Sequence, residues 1–164
     1  MPRPRGALTG VYAPELTRQS LFEALCLGRT IATQGRRVFL DLRIGDAVVG
    51  QCAIVDGPPR IELHYRAHED VESISILRNG TVVHHVEGPA REGEVVFVDE
   101  TPIGPTCGYH ARLKMVGDPS FNAEHHGRDC LRPFVQDGPY PSNLANANGP
   151  FAWTSPVWVT CDRS

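Results

Sequence analysis

The chain has 164 residues, 41% hydrophobic and 21% charged, with a formal net charge of −3. That balance excludes a disordered polymer and predicts one globular unit long enough to bury a core. Lys114 is the sole lysine and the arginines are scattered, so a phosphate-binding surface for nucleic acid is excluded as well. No apolar run approaches the ~20 residues that cross a bilayer. The opening "MPRPRGALTG" lacks an apolar stretch, which predicts no secretory leader.

The first element in chain order is a short helix. Thr17 offers a hydroxyl to a free first-turn N–H, with Pro14 and Glu15 leading in. Leu21, Ala24 and Leu25, with Phe22 and Leu27 beside them, give an apolar stripe at helical spacing. Gly28 supplies the left-handed residue that ends the helix.

From Arg37 onward the period becomes two. Val38, Leu40, Leu42 and Ile44 alternate with Phe39, Asp41 and Arg43, and Gly45-Asp46 predicts a tight turn back into "AVVG". Ile61, Leu63 and Tyr65 alternate with Glu62, His64 and Arg66. Asn79-Gly80 is a favoured type I′ pair, flanked by Ile74, Ile76, Val82 and Val86. "GEVVFVDE", "GYHARLKMVG" and "FAWTSPVWVTC" supply three more strands. Pro156 lacks an N–H, which places the last strand at an edge or at a bulge. About seven or eight short strands between Gly/Pro/Asn turns predict a mainly β protein, an antiparallel β-sandwich preceded by one short helix. Residues 1–36 then form an N-terminal helical segment and 37–164 the sandwich. The stretch 118–150 interrupts the pattern and is too long for a hairpin loop.

Five cysteines (Cys26, Cys52, Cys107, Cys130 and Cys161) without a C-x-x-C pair indicate neither a disulfide framework nor a zinc ribbon. Read as small core residues, they predict a reducing, cytoplasmic compartment. "AEHHGRDC" gathers His125, His126, Asp129 and Cys130, and "CGYH" sets Cys107 near His110. These are ligand types for zinc or iron, but the spacing matches no established pattern, so polar loop residues are the stronger reading. His84 and His85 face opposite sides of a strand, whereas His64 and His68 share a solvated face with Glu62 and Arg66. Ser20, Ser73, Ser75 and Ser120 lack the context of an activated nucleophile. Trp153 and Trp158, with Tyr140 nearby, suggest a carbohydrate platform, but their odd separation puts them on opposite faces of an unbroken strand.

The segment "GALTGVYAPELTRQSLFEALCLGRTIATQGRRVFLDLRIGD" and the ending "FAWTSPVWVT" resemble a family of bacterial proteins related to the polymerase-and-histidinol-phosphatase (PHP) type of metal-dependent phosphoesterase. "ISILRNG" is a further short echo. The resemblance implies a metal-binding barrel N-terminal to this region, and this chain has neither the H-x-H near its start nor the D-x-H of such a barrel. It therefore implies a non-catalytic accessory sandwich with no cofactor of its own, the divalent metals lying in the barrel. Leu21, Phe22 and Leu25, with Arg29 and Thr30, are the expected docking residues for that barrel or for another protomer. Two other readings are a small metal-dependent hydrolase using His110, His125, His126 and Asp129, and a carbohydrate- or ligand-binding module using the 118–150 stretch.

Overall fold

The computed structural model describes residues 8–101, 104–116 and 150–161. Twelve strands and one helix occupy them: β1 (Leu8–Val11), α1 (Arg18–Cys26), β2 (Thr30–Thr33), β3 (Val38–Ile44), β4 (Ala47–Val48), β5 (Cys52–Val55), β6 (Arg60–Ala67), β7 (Val71–Arg78), β8 (Thr81–Glu87), β9 (Glu92–Val98), β10 (Thr106–Met115), β11 (Phe151–Thr154) and β12 (Val157–Cys161). They form an eight-stranded sheet and a four-stranded sheet in the order β4-β3-β6-β9. The mainly β sandwich with one short helix is the observed architecture.

The alternation in the sequence sets the two inner faces. Leu40, Leu42 and Ile44 of β3 and Ile61, Leu63 and Tyr65 of β6 are buried from one sheet. Ile74, Ile76, Tyr109, Ala111, Leu113, Met115, Val157 and Val159 meet them from the other in one apolar cluster. A polar latch closes one end of this core. Asp99, 2% exposed just past β9, accepts from Tyr109 Oη at 2.8 Å and from Arg78 Nη1 at 2.7 Å, while its second oxygen accepts from the Thr101 amide at 3.1 Å. A buried carboxylate needs such partners, and here they bind the four-stranded sheet to the eight-stranded one.

The turns follow their residues. Asn79 (φ 48°) and Gly80 (φ 84°) make a two-residue turn between paired Arg78 and Thr81. Ile44 likewise pairs with Ala47 across Gly45-Asp46. The helix begins with Thr17 Oγ1 accepting from the Ser20 amide at 3.2 Å. It ends in a Schellman motif, the Gly28 amide reaching Leu25 O at 3.1 Å and the Arg29 amide reaching Ala24 O at 2.9 Å.

Two features differ from the sequence-based expectation, and a third decides between two alternatives it left open. First, there are twelve strands rather than seven or eight, because β1, β2 and β5 have four residues each and show no readable period, and the final segment divides into β11 and β12. Segment 1–36 accordingly contributes strands to the larger sheet: β1 pairs with β2, and β2 with β11. Second, the pairing is not wholly antiparallel, since β12 runs parallel to β5. Third, of the two alternatives for the strand containing Pro156, the bulge is the one observed, and the strand is not at an edge. β11 and β12 both pair with β10, with Arg112 opposite Trp153 but Tyr109 opposite Val157, so one extra residue is inserted at Ser155-Pro156. At that bulge the other side of the strand changes partner from β2 to β5, and no ladder bond is asked of the proline.

Candidate functional site

Helix α1 carries the first candidate surface. Of its residues only Ala24 is buried, and Phe22 and Leu25, three apart on one face, are 67% and 51% exposed. Leu16 ahead of the helix and Leu27 at its C-cap are exposed too. Leu21 is half-buried. Arg29 and Thr30 are also half-buried and belong to the return of the chain into the sheet: Arg29 O accepts from the Tyr12 amide at 2.9 Å, and Thr30 Oγ1 lies 2.8 Å from Ser155 Oγ. Two of the five expected docking residues, Phe22 and Leu25, are thus exposed by half or more, and the helix is held from both ends. At its C-terminus the β4–β5 turn approaches so closely that a Cβ on Gly50 would sit 2.0 Å from Leu27 O.

The outer face of the four-stranded sheet carries the second. Asp41, His64 and Glu94 lie directly opposite one another across β3, β6 and β9, and Glu62 is two residues along β6 on the same face. One ligand atom from each of Glu62, His64 and Glu94 lies within 4.8 Å of the other two, a set of types that suits zinc or manganese. Its carboxylates are already engaged, however. Arg60 holds Glu62, Arg43 holds Asp41 at 2.8 Å, and His64 Nε2 stands 3.6 Å from Glu94. A cleft of about 660 Å³ beside them is lined by Phe39, His64, Tyr65, Arg66, Glu92 and Gly93. The face is a lattice of exposed ion pairs, each contributing little to stability. Sequence reasoning placed Glu62, His64 and Arg66 together on it, but had no signal for Glu94, which comes from a strand some thirty residues further on.

The remaining named residues disperse. Cys107 points into the core, where burial pushes its thiol above the ordinary range. His110, three residues later, lies on the opposite face of β10, so the two share no ligand site. Burial, and then the neighbouring Arg112 charge, holds the His110 imidazole below its usual pKa. His84 stacks on Phe97 between the sheets at 4.7 Å, while His85 faces outward, 3.0 Å from Ser75 Oγ and 2.7 Å from Glu87. His68 lies beyond β6 beside Arg36 and Arg37, in a cleft of about 540 Å³. Ser20 and Ser73 take no part in a catalytic pairing among the described residues. His125, His126, Asp129, Cys130, Ser120 and Tyr140 lie outside the described residues. Trp153 and Trp158 are a correction. The inserted residue at Ser155-Pro156 reverses the parity, so both face the outside of the eight-stranded sheet.

Among the described residues no helix is long and apolar enough to cross a membrane. No family model matches the chain, and no solved structure matches it. It is similar to an uncharacterised protein of Chlamydia pneumoniae, 28% identical over 158 residues that make up 93% of this chain and 22% of that protein. Uncharacterised proteins of Chlamydia muridarum and Chlamydia trachomatis are 27% and 28% identical over the same shares. The chain therefore spans about a fifth of the length of the curated relatives it matches.

Proposed function

We propose that the chain is a non-catalytic accessory β-sandwich, docked through helix α1 onto the larger body of a protein of the relatives' kind. The observation that carries this reading is the outward apolar face of α1, with Phe22 and Leu25 half exposed or more although the sandwich has its own complete core. The occupant follows from length: the relatives have some four-fifths of their chain beyond the matched part. On the resemblance drawn from the sequence, that body is a PHP-like metal-dependent hydrolase barrel, which would hold the divalent metals. Free thiols at Cys26, Cys52, Cys107 and Cys161 go with a reducing, cytoplasmic setting.

The test is a chimera in which this chain replaces its matching segment in the Chlamydia pneumoniae protein. Graft and body should melt in one cooperative transition. Phe22→Asp with Leu25→Asp should split it in two, since burying each side chain contributes roughly 1.5–3 kcal/mol. One transition in both chimeras, or two in both, would overturn docking through α1. The isolated chain should hydrolyse no phosphoester with added manganese or zinc; turnover above blank would refute its non-catalytic role.

A further inference from the structure

The bulge at Ser155-Pro156 assembles a row of side chains that the sequence parity scatters. On the outer face of the eight-stranded sheet, Trp158 lies opposite Gly108 and Trp153 opposite Arg112. His110 sits between Gly108 and Arg112 on β10. The indole of Trp158 lies over Gly108, where a Cβ would come within 3.1 Å of the ring. Glycine there lets the ring rest flat on the strand, leaving Trp158 47% exposed. At the other end Phe151 and Trp153 stack with centroids 5.5 Å apart, and the Arg112 guanidinium lies 5.9 Å from the Phe151 centroid. Four residues of β10 separate the two aromatic groups, about 13 Å at the strand rise.

The charges select the ligand. Lys114 is paired with Glu72 and His85 with Glu87, whereas Arg112 has no acidic partner among the described residues. Its cation is oriented by an aromatic ring, with no carboxylate paired to it among the described residues. Flat aromatic faces set apart along a ridge suit the apolar faces of linked sugar rings, and an unpaired guanidinium suits a carboxylate. A nucleic-acid strand is disfavoured by the net charge of −3.

We propose that this face binds an acidic oligosaccharide, its rings stacking on Trp158 and on the Phe151–Trp153 pair and a uronate carboxylate meeting Arg112. This face uses side chains of β10, β11 and β12 and none of the exposed residues of α1.

Trp153 and Trp158 are the protein's two tryptophans, so fluorescence excited selectively at tryptophan reports on this face alone. The full chain would be titrated with oligogalacturonate and oligomannuronate, and with cellohexaose as the neutral control. The expected result is a saturable spectral change with a uronate and a much weaker one with cellohexaose. Arg112→Gln should weaken uronate binding roughly tenfold or more. Trp158→Ala should do likewise with Trp153 as the remaining reporter, each variant keeping the wild-type far-ultraviolet spectrum. No saturable response to either uronate at millimolar concentration would overturn the proposal. Equal binding of the neutral hexamer, or unchanged affinity in both variants, would overturn it too.

Discussion

At the scale of single residues, the backbone at Gly50 does two things that only glycine allows. Its φ is +81°, and the hydrogen standing where a Cβ would be faces the carbonyl of Leu27. An alanine there meets both the left-handed penalty of ~1–2 kcal/mol and a collision with main chain, which cannot swing aside as a side-chain tip can. Gly45, at φ +58° with open space around it, carries the first cost alone. Gly50→Ala should therefore lower the denaturation midpoint well beyond Gly45→Ala; equal shifts would show that the α1–turn approach is not tight. His110 offers a pH handle. The folded state favours its neutral ring, chiefly through burial and then through Arg112, so its folded pKa lies below the unfolded one. As pH falls below ~6.5 the unfolded chain takes up the proton first. The stability present above that pH is lost as pH drops through the folded value. Between pH 7.5 and 5.5 the melting temperature should fall more in the wild type than in His110→Gln, and parallel curves would remove the histidine from the effect.

Elements were legible in proportion to length and to the strength of their punctuation. Helix α1 was read almost to the residue because Thr17 and Gly28 each do a job that the helix ends require. β3, β6 and β10 were read because seven or more residues establish a period. β1, β2 and β5 were not, since four residues alternate too briefly to stand out from a loop and are made strands by their neighbours. β8 shows a subtler failure. Val82 was expected to alternate with Val86, but a register shift opposite Ile76/Leu77 leaves Val82 45% exposed. The bulge at Pro156 was anticipated as one of two choices, yet its consequence was not: it brings Trp153 and Trp158 to one face. Candidate sites suffer most from such slips, because an added residue leaves a strand recognisable and changes what every later side chain meets. Of the Glu62–His64–Glu94 cluster, the period-two alternation gives Glu62 and His64 a common face, but Glu94 has no local trace, being brought in by pairing β6 with β9.

At the scale of the whole molecule, the question is whether the sandwich closes without its first 36 residues. A helical joint in series with a finished domain would leave residues 37–164 able to fold alone. The bonding argues otherwise. β2 supplies the ladder partners of β11, burying Ile31 and Thr33 at 6% and 4% exposure. Tyr12 reaches across to the other sheet, its hydroxyl donating to Leu40 O and its ring set edge-on to Phe39 at 6.3 Å. Gln34 accepts from the Phe151 backbone N–H at 3.0 Å through Oε1, and its own backbone N–H donates to Phe151 O at 2.9 Å. Removing the segment strips the outer side of β11 of partners, uncovers core on both sheets and orphans buried polar groups, each costing about 1–3 kcal/mol. Those losses rival the 5–15 kcal/mol that holds a typical domain together. Residues 37–164 expressed alone should be aggregated or molten, with poorly dispersed amide resonances and no cooperative melt, whereas the full chain melts cooperatively. A well-dispersed spectrum from the truncated form would make the segment a detachable joint. If it is integral, α1 is anchored before and after by strands of the same sheet, and its apolar face is presented rigidly to whatever covers it.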